Sequence, residues 1–222
     1  MKELSQKQAD FVSKTSDFVK NVLINAEGGH DWFHTERVFK NAIHIAKGEK
    51  VDLFIVALGS LLHDIADSKF HNGDETVGPK MAQDFLDQHK VEKRITDHVV
   101  NIIKNVSFKG GNQEKIFDSS ELQVVQDADR LDAIGAIGIA RTFNYGGFKN
   151  RKLYDPEIEP RMDMDVETYK KSASPTINHF YEKLLLLKDR MNTASARKIA
   201  EERHKFMETF LDQFYGEWEG SR

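Results

Sequence analysis

The stretch LFIVALGSLLHDIAD, residues 53–67, decides the fold of this chain. Its first ten residues are uncharged, and a helix that is apolar on nearly every side belongs in the centre of a helical core. We predict that helix over residues 51–67. The stretch ends in His63, Asp64 and Asp67, although a buried carboxylate without a partner is energetically costly. Two explanations are open: the helix surfaces here and leaves His63 solvated, or the polar side chains bind a ligand.

Most of the remaining chain is also predicted to be helical. Only four prolines occur, none before Pro79, and valine, isoleucine and threonine form no long alternating runs. Glycine-containing segments at 109–113 and 144–160 are predicted loops. Further helices are predicted at about residues 5–26, 31–47, 75–89, 91–106, 122–142, 164–188 and 193–215.

The segment 144–160 is the candidate domain boundary. The roughly 60 residues after it are too few to stand alone. We therefore predict one all-α domain over residues 1–222, with a pair of C-terminal helices at about 164–215 packed onto the rest. The exposed face of these C-terminal helices could support a homodimer.

The composition excludes several kinds of site. With 36 acidic and 32 basic residues the net charge is −4, which argues against a broad surface for nucleic acid or anionic lipid. The absence of cysteine excludes disulfides, thiolate metal sites and cysteine nucleophiles. The N-terminus is polar and the longest uncharged apolar stretch is too short to span a bilayer. We expect a cytoplasmic protein that binds neither membrane nor nucleic acid.

Two other predicted core helices also carry a polar residue where packing alone would favour leucine. His34 lies four residues before Val38, on the apolar face of its helix. Asp129 lies in QDADRLDAIGAIGIA, a predicted helix that is too apolar for a surface element. A shared metal ion would neutralise the carboxylates and satisfy the imidazoles. The candidate ligands are His34, His63, Asp64 and Asp129. Imidazole with carboxylate suits a divalent ion such as manganese, iron, magnesium or zinc.

The order His … His-Asp … Asp, found in HTERV at 34–38, LLHDIAD at 61–67 and QDADRLDAIG at 126–135, resembles the HD-domain metal-dependent phosphohydrolases. Residues 28–156 are similar to a small bacterial subgroup in which nucleoside triphosphates are hydrolysed to release pyrophosphate. The resemblance implies an HD-type helical bundle that binds one divalent metal ion. We expect manganese, with iron, magnesium, cobalt or zinc as alternatives.

The resemblance also selects among neighbouring candidates. It points to His34, the histidine of a His-x-x-Arg-Val segment, rather than His30, and leaves Asp31 as a helix N-cap. For the last ligand it favours Asp129, which directly precedes a basic residue, over Asp127 or Asp132. Asp132 is then expected to form a salt bridge near the site.

Two residues are candidates for catalysis. Asp67 lies four residues after His63, one helical turn away, where it could orient or deprotonate a metal-activated water or protonate a leaving oxygen. The resemblance supports this position, and the alternative is a surface helix-end residue. His98, in ITDHVVNII, joins the site in some HD proteins, and otherwise is a core histidine satisfied by its neighbours.

Phosphate binding requires cations, and base binding favours aromatic rings. Basic residues follow each motif, and the segment RTFNYGGFKNRK at 141–152 has four of them with no acidic residue. The alternative for each is a solvated basic side chain. The candidate substrate-binding residues are Arg37, Lys69, His71, Arg130, Arg141, Tyr145 and Lys149.

The leading hypothesis is a phosphohydrolase that releases pyrophosphate from a nucleoside or deoxynucleoside triphosphate through a metal-activated water. Hydrolysis of a nucleoside monophosphate or of a guanosine alarmone is the alternative within the enzyme class. Cyclic-dinucleotide hydrolysis and nuclease activity are disfavoured, for want of second-metal histidines and of a basic stripe. The alternative outside the enzyme class is a nucleotide-binding regulator whose metal is structural.

Overall fold

The structure, a computed structural model, describes residues 3–26, 30–66, 74–106, 117–161 and 174–222. The predicted all-α class is confirmed, because these residues form helices and turns and no strand. The first six helices are α1 (Gln6–Val22), α2 (Trp32–Ala46), α3 (Leu53–Leu62), α4 (Val77–Gln88), α5 (Lys93–Asn105) and α6 (Ser120–Asp132). The remaining helices are α7 (Gly135–Phe148), α8 (Asn178–Glu182) and α9 (Ala194–Trp218).

Helix α3 is the buried centre that its sequence predicts. Every residue from Phe54 to Leu62 is buried, and the helix packs against α1, α2 and α5. Gly59 permits a close approach, since a Cβ there would lie 3.2 Å from Cδ1 of Ile102 on α5. The helix is shorter than predicted: it ends at Leu62 with His63 as its C-cap. The polar residues of the motif therefore follow the helix instead of continuing it.

The start of α2 is fixed by its N-cap, which confirms the expectation for Asp31. The Asp31 carboxylate accepts a hydrogen bond from the backbone N–H of His34 at 2.9 Å. This cap satisfies a backbone donor that the first helical turn leaves without a partner. It also holds His34 in the first turn of the helix.

The prediction of one helix over residues 122–142 is wrong, because a turn divides this segment into α6 and α7. Gly135 has φ +75°, a conformation that glycine adopts readily and other residues rarely do. The loop predicted from residue 144 is also wrong at its start, since α7 continues to Phe148. Gly135 thus permits a tight turn between the two helices.

The C-terminal region differs from the predicted helical pair. Within residues 174–188, the predicted helix is reduced to α8 and 3₁₀ turns. The backbone N–H groups of Thr176 and Ile177 donate to the carbonyls of Lys152 and Leu153 at 2.9 and 3.1 Å, so the helix starts only at residue 178. The second predicted helix is α9, and it extends to Trp218.

Residues 1–129 and 130–222 form two compact units. The first contains α1–α5 and most of α6, around the apolar core of α3. In the second, α7 contacts α9, and Phe180 stacks on Phe210 with ring centroids 5.8 Å apart. The single domain remains a prediction. None of the helices in the described segments is long and apolar enough to cross a membrane.

Candidate metal centre

Three of the four predicted metal ligands form a cluster in the first unit. His34 lies on α2, His63 caps α3 and Asp129 lies on α6, and each offers a ligand atom within 4.8 Å of the others. Oδ1 of Asp129 is 3.5 Å from Nε2 of His34 and 4.0 Å from Nε2 of His63. Both histidines are buried, whereas the Asp129 side chain is 38% exposed. The cluster therefore combines two fixed imidazoles with a carboxylate that solvent can reach.

The hydrogen bonding of His63 suits a metal ligand. Its Nδ1 lies 2.9 Å from the carbonyl oxygen of Ser60. A carbonyl only accepts, so Nδ1 carries a hydrogen and points away from the cluster, which leaves Nε2 as the nitrogen that faces Asp129. That Nε2 is buried and has no hydrogen-bond partner among the residues described. A divalent ion would provide the partner, and the residues present fit such an ion.

Asp64, the fourth predicted ligand, lies beside this cluster. Its Oδ2 is 4.0 Å from Nε2 of His34 and 2.6 Å from Nδ1 of His30. Burial on its own would raise the pKa of the Asp64 carboxyl, but the hydrogen bond with His30 and the neighbouring charges of His63, His30 and His34 outweigh it, so the pKa lies below its ordinary value. The carboxylate form, which binds metal, is therefore favoured.

His30 is the site residue that sequence reasoning set aside. The family pattern assigns a ligand role to His34 alone, and the pair His30-Asp31 was explained by the N-cap. The available signal was the spacing, because His30 precedes His34 by four residues in GGHDWFH. That spacing did not reveal Asp64 as the partner, since the two residues are 34 positions apart.

His98, a predicted catalytic residue, lies near the opposite end of α6 from Asp129. Its Nε2 is 2.9 Å from Oγ of Ser119 and 3.4 Å from Oε2 of Glu121. Its ring meets Phe117 edge-on. Glu121 and Asp129 are eight residues apart on α6, or about 12 Å along the helix axis. The structure does not bring His98 to the cluster, and its contacts match the alternative of a histidine satisfied by its neighbours.

Three predicted phosphate-binding arginines are described. Arg37 lies on α2 three residues after His34, which places both on the same side of the helix. The guanidinium of Arg130 donates to the carbonyl of Arg190 at 2.8 Å. Arg141 donates to the buried carboxylate of Asp132, which confirms Asp132 as a salt-bridge residue. The guanidinium groups of Arg130 and Arg141 therefore have partners within the second unit.

The aromatic and basic segment predicted to bind substrate belongs to the second unit. The Tyr145 side chain is 50% exposed. The Lys149 ammonium lies 5.7 Å from the centroid of the Tyr145 ring and 5.0 Å from that of Phe148. This arrangement presents a flat ring beside a cation. Three other predicted site residues lie outside the described part of the chain: Asp67, Lys69 and His71.

Comparison with known proteins places this chain among its relatives. The HD domain family matches residues 32–134. The uncharacterized protein YpgQ of Bacillus subtilis is 41% identical over 216 residues, which cover 96% of this chain and 94% of YpgQ. An HD-superfamily hydrolase from Bacillus thuringiensis has a TM-score of 0.79 at 45% identity, over 96% of this chain and 98% of its own. YpgQ in complex with ADP has a TM-score of 0.74 at 35% identity, over 95% and 96% of the two chains.

The matched HD segment contains every predicted metal ligand. His34 and His63 lie in its first third, and Asp129 lies near its end. The two Bacillus relatives extend the similarity over nearly the whole chain. The resemblance inferred from the three motifs is thereby confirmed. The chain belongs to the HD family and is a metal-dependent phosphohydrolase.

Proposed function

We propose that this protein hydrolyses nucleoside or deoxynucleoside triphosphates and releases pyrophosphate. The observation that carries the proposal is the cluster of His34, His63 and Asp129. In this cluster a buried imidazole nitrogen has no hydrogen-bond partner among the described residues, and the carboxylate is reachable from solvent. The ADP complex of the relative YpgQ supports a nucleotide as the substrate class. Release of pyrophosphate in particular follows from the motif resemblance.

The proposed ligands are His34, His63, Asp64 and Asp129. A bound divalent ion would polarise a phosphoryl oxygen and lower the pKa of a water molecule. Two nitrogen and two carboxylate donors without sulfur suit manganese first, with iron, magnesium, cobalt or zinc as alternatives. His63 and His34 are buried and give the site its fixed geometry, while Asp129 borders solvent.

Other residues of the chain would act on water and phosphate. Asp67 is proposed to hold or move the proton of the attacking water. A ring as exposed as that of Tyr145 can stack on a base, with Lys149 beside it for phosphate. His98, on α5, is left out of the catalytic set because its ring lies beside Ser119 and Glu121, near the start of α6 and away from Asp129. The remaining candidates for phosphate are Arg37, Lys69, His71, Arg130 and Arg141.

Hydrolysis of a nucleotide panel tests the proposal. Metal-stripped full-length protein is supplied separately with manganese, magnesium, cobalt or zinc, and chromatography separates pyrophosphate from phosphate. We expect pyrophosphate and nucleoside monophosphate from triphosphates, with one preferred metal. Release of phosphate from nucleoside monophosphates would contradict the triphosphate assignment and make the monophosphates the substrate. Thermal stabilisation by nucleotide without turnover, with any metal, would contradict the enzyme and favour the regulator.

Two variants test, in the same hydrolysis assay, whether Asp67 takes part in the reaction. Asp67→Asn is expected to lose most of the turnover while keeping the metal, since general acid–base groups typically contribute about 10²–10⁴-fold. The exposed His44, on α2 like His34, offers the matched control His44→Ala, which should retain wild-type turnover. Full turnover in Asp67→Asn would remove that residue from the proposal.

A further inference from the structure

We propose that His30 is a positioning residue, which holds the carboxylate of Asp64 in the orientation needed to bind the metal ion. This inference rests on the proposed function, because it takes Asp64 to be a metal ligand. It assigns a role to a histidine outside the three HD motifs. It also explains how two adjacent residues, His63 and Asp64, can serve one ion.

The geometry joins His30 to the oxygen that faces the cluster. Nδ1 of His30 is 2.6 Å from Oδ2 of Asp64, a short distance typical of a charge-assisted hydrogen bond. The same Oδ2 is 4.0 Å from Nε2 of His34. The same carboxylate oxygen of Asp64 therefore lies near both the positioning histidine and a predicted ligand histidine.

Asp64 needs such a partner because of where it lies. Adjacent side chains on a helix diverge by about 100°, and α3 ends at Leu62, just before His63 and Asp64. The backbone alone does not direct the two side chains to one point. His30 supplies a fixed donor from a different element, since it directly precedes the N-cap Asp31 of α2.

The segment from His30 to His34 then serves the site twice. Asp31 caps α2 by accepting from the backbone N–H of His34, which fixes the start of the helix. His34 offers its own ring nitrogen to the cluster, and His30 offers Nδ1 to Asp64. Hydrogen-bond partners of metal ligands typically contribute 10–100-fold to metal affinity, because they orient the ligand before the ion binds.

The test measures the manganese dissociation constant of full-length protein by calorimetric titration. Wild type is compared with His30→Ala, His30→Asn, Asp64→Ala and the double variant His30→Ala/Asp64→Ala. We expect His30→Ala to bind manganese about 10–100-fold more weakly. His30→Asn should recover part of the affinity, since its amide can donate from a position close to that of Nδ1. The exposed His44→Ala variant should match wild type.

The double variant identifies how His30 acts. If His30 works through Asp64, its removal has no further effect once Asp64 is gone, and the double variant matches Asp64→Ala. Independent, multiplying losses would overturn the positioning role, because His30 would then bind the ion itself or act elsewhere. Metal-free thermal unfolding accompanies each titration, and His30→Asn carries the comparison if the alanine variant fails to fold.

The titrations distinguish failure of the Asp64 ligand assignment from failure of the His30 positioning role. Unchanged manganese affinity in Asp64→Ala would overturn the ligand assignment on which the inference rests. Weakened affinity in Asp64→Ala together with unchanged affinity in His30→Ala would overturn the positioning role and leave the ligand set intact.

Discussion

The imidazole of His63 occupies a place in the core where leucine would pack. Its Nδ1 is paired with the carbonyl of Ser60, yet its Nε2 is buried without a hydrogen-bond partner in the described residues. Leaving such a group unsatisfied costs about 1–3 kcal/mol. A divalent ion bound by Nε2 would supply that partner at the position where the motifs predict an ion.

At the scale of single residues, His179 predicts a pH dependence of stability. Burial, followed by the nearby charges of Lys183 and Arg151, lowers the pKa of His179 from 6.5 to about 3. Below pH 6.5 the unfolded chain takes up a proton that the folded protein does not, so stability falls as pH drops from about 6.5 towards 3. This histidine should account for a loss of about 2 kcal/mol between pH 7 and pH 5.

Urea unfolding of metal-stripped protein at these two pH values measures the effect. His179→Gln, which cannot titrate, should show a smaller loss of stability than wild type. The control is His44→Gln, the same substitution at an exposed histidine on α2. Equal losses in wild type and His179→Gln would show that His179 takes up its proton in the folded state as well.

Sequence reasoning could identify candidate ligands that break an apolar pattern, and it could not identify their hydrogen-bond partners. His34, His63 and Asp129 are polar residues in apolar runs, and the structure brings these three together. The role of Arg141 was not evident in the same way, because a basic residue in a basic segment does not reveal whether it faces substrate or Asp132.

At the scale of elements, the break between α6 and α7 shows the limit of periodicity. The residues 122–142 keep a helical pattern, and alanine and glycine suit a buried helix and a tight turn equally. The turn depends on the positive φ of Gly135. It also depends on a close approach at Gly138, where an added Cβ would overlap the carbonyl oxygen of Ala133. Such an approach is a property of the folded backbone, so the pattern of side chains did not predict it.

Gly138→Ala should therefore destabilise the start of α7. The obstacle is a backbone carbonyl that cannot rotate away, and overpacking of this kind typically costs about 1–3 kcal/mol. Gly147→Ala on the same helix is the matched control, since a Cβ there meets nothing within 4 Å. It should be neutral or stabilising by up to about 1 kcal/mol. Chemical denaturation followed by circular dichroism compares the two, and equal stability of both variants would contradict the close approach.

At the scale of the whole molecule, the candidate metal centre lies in one compact unit. His34, His63, Asp64 and Asp129 all lie within residues 1–129, whereas Tyr145 and Lys149 lie within residues 130–222. The all-α class and the HD family could be predicted from three motifs and a buried apolar helix. The single domain and the homodimer remain predictions, because composition and periodicity do not determine how surfaces associate. The cytoplasmic location also remains a prediction.

The measurement that tests the central claim most directly is the number of manganese ions bound per chain. Full-length, metal-stripped protein is dialysed against manganese, and its metal content is determined by mass spectrometry. We expect one ion per chain in wild type and in His44→Ala, and none retained in His63→Ala. That variant lacks the ring whose Nε2 has no hydrogen-bond partner in the described structure. Absence of saturable binding in wild type, or full retention in His63→Ala, would contradict the metal centre.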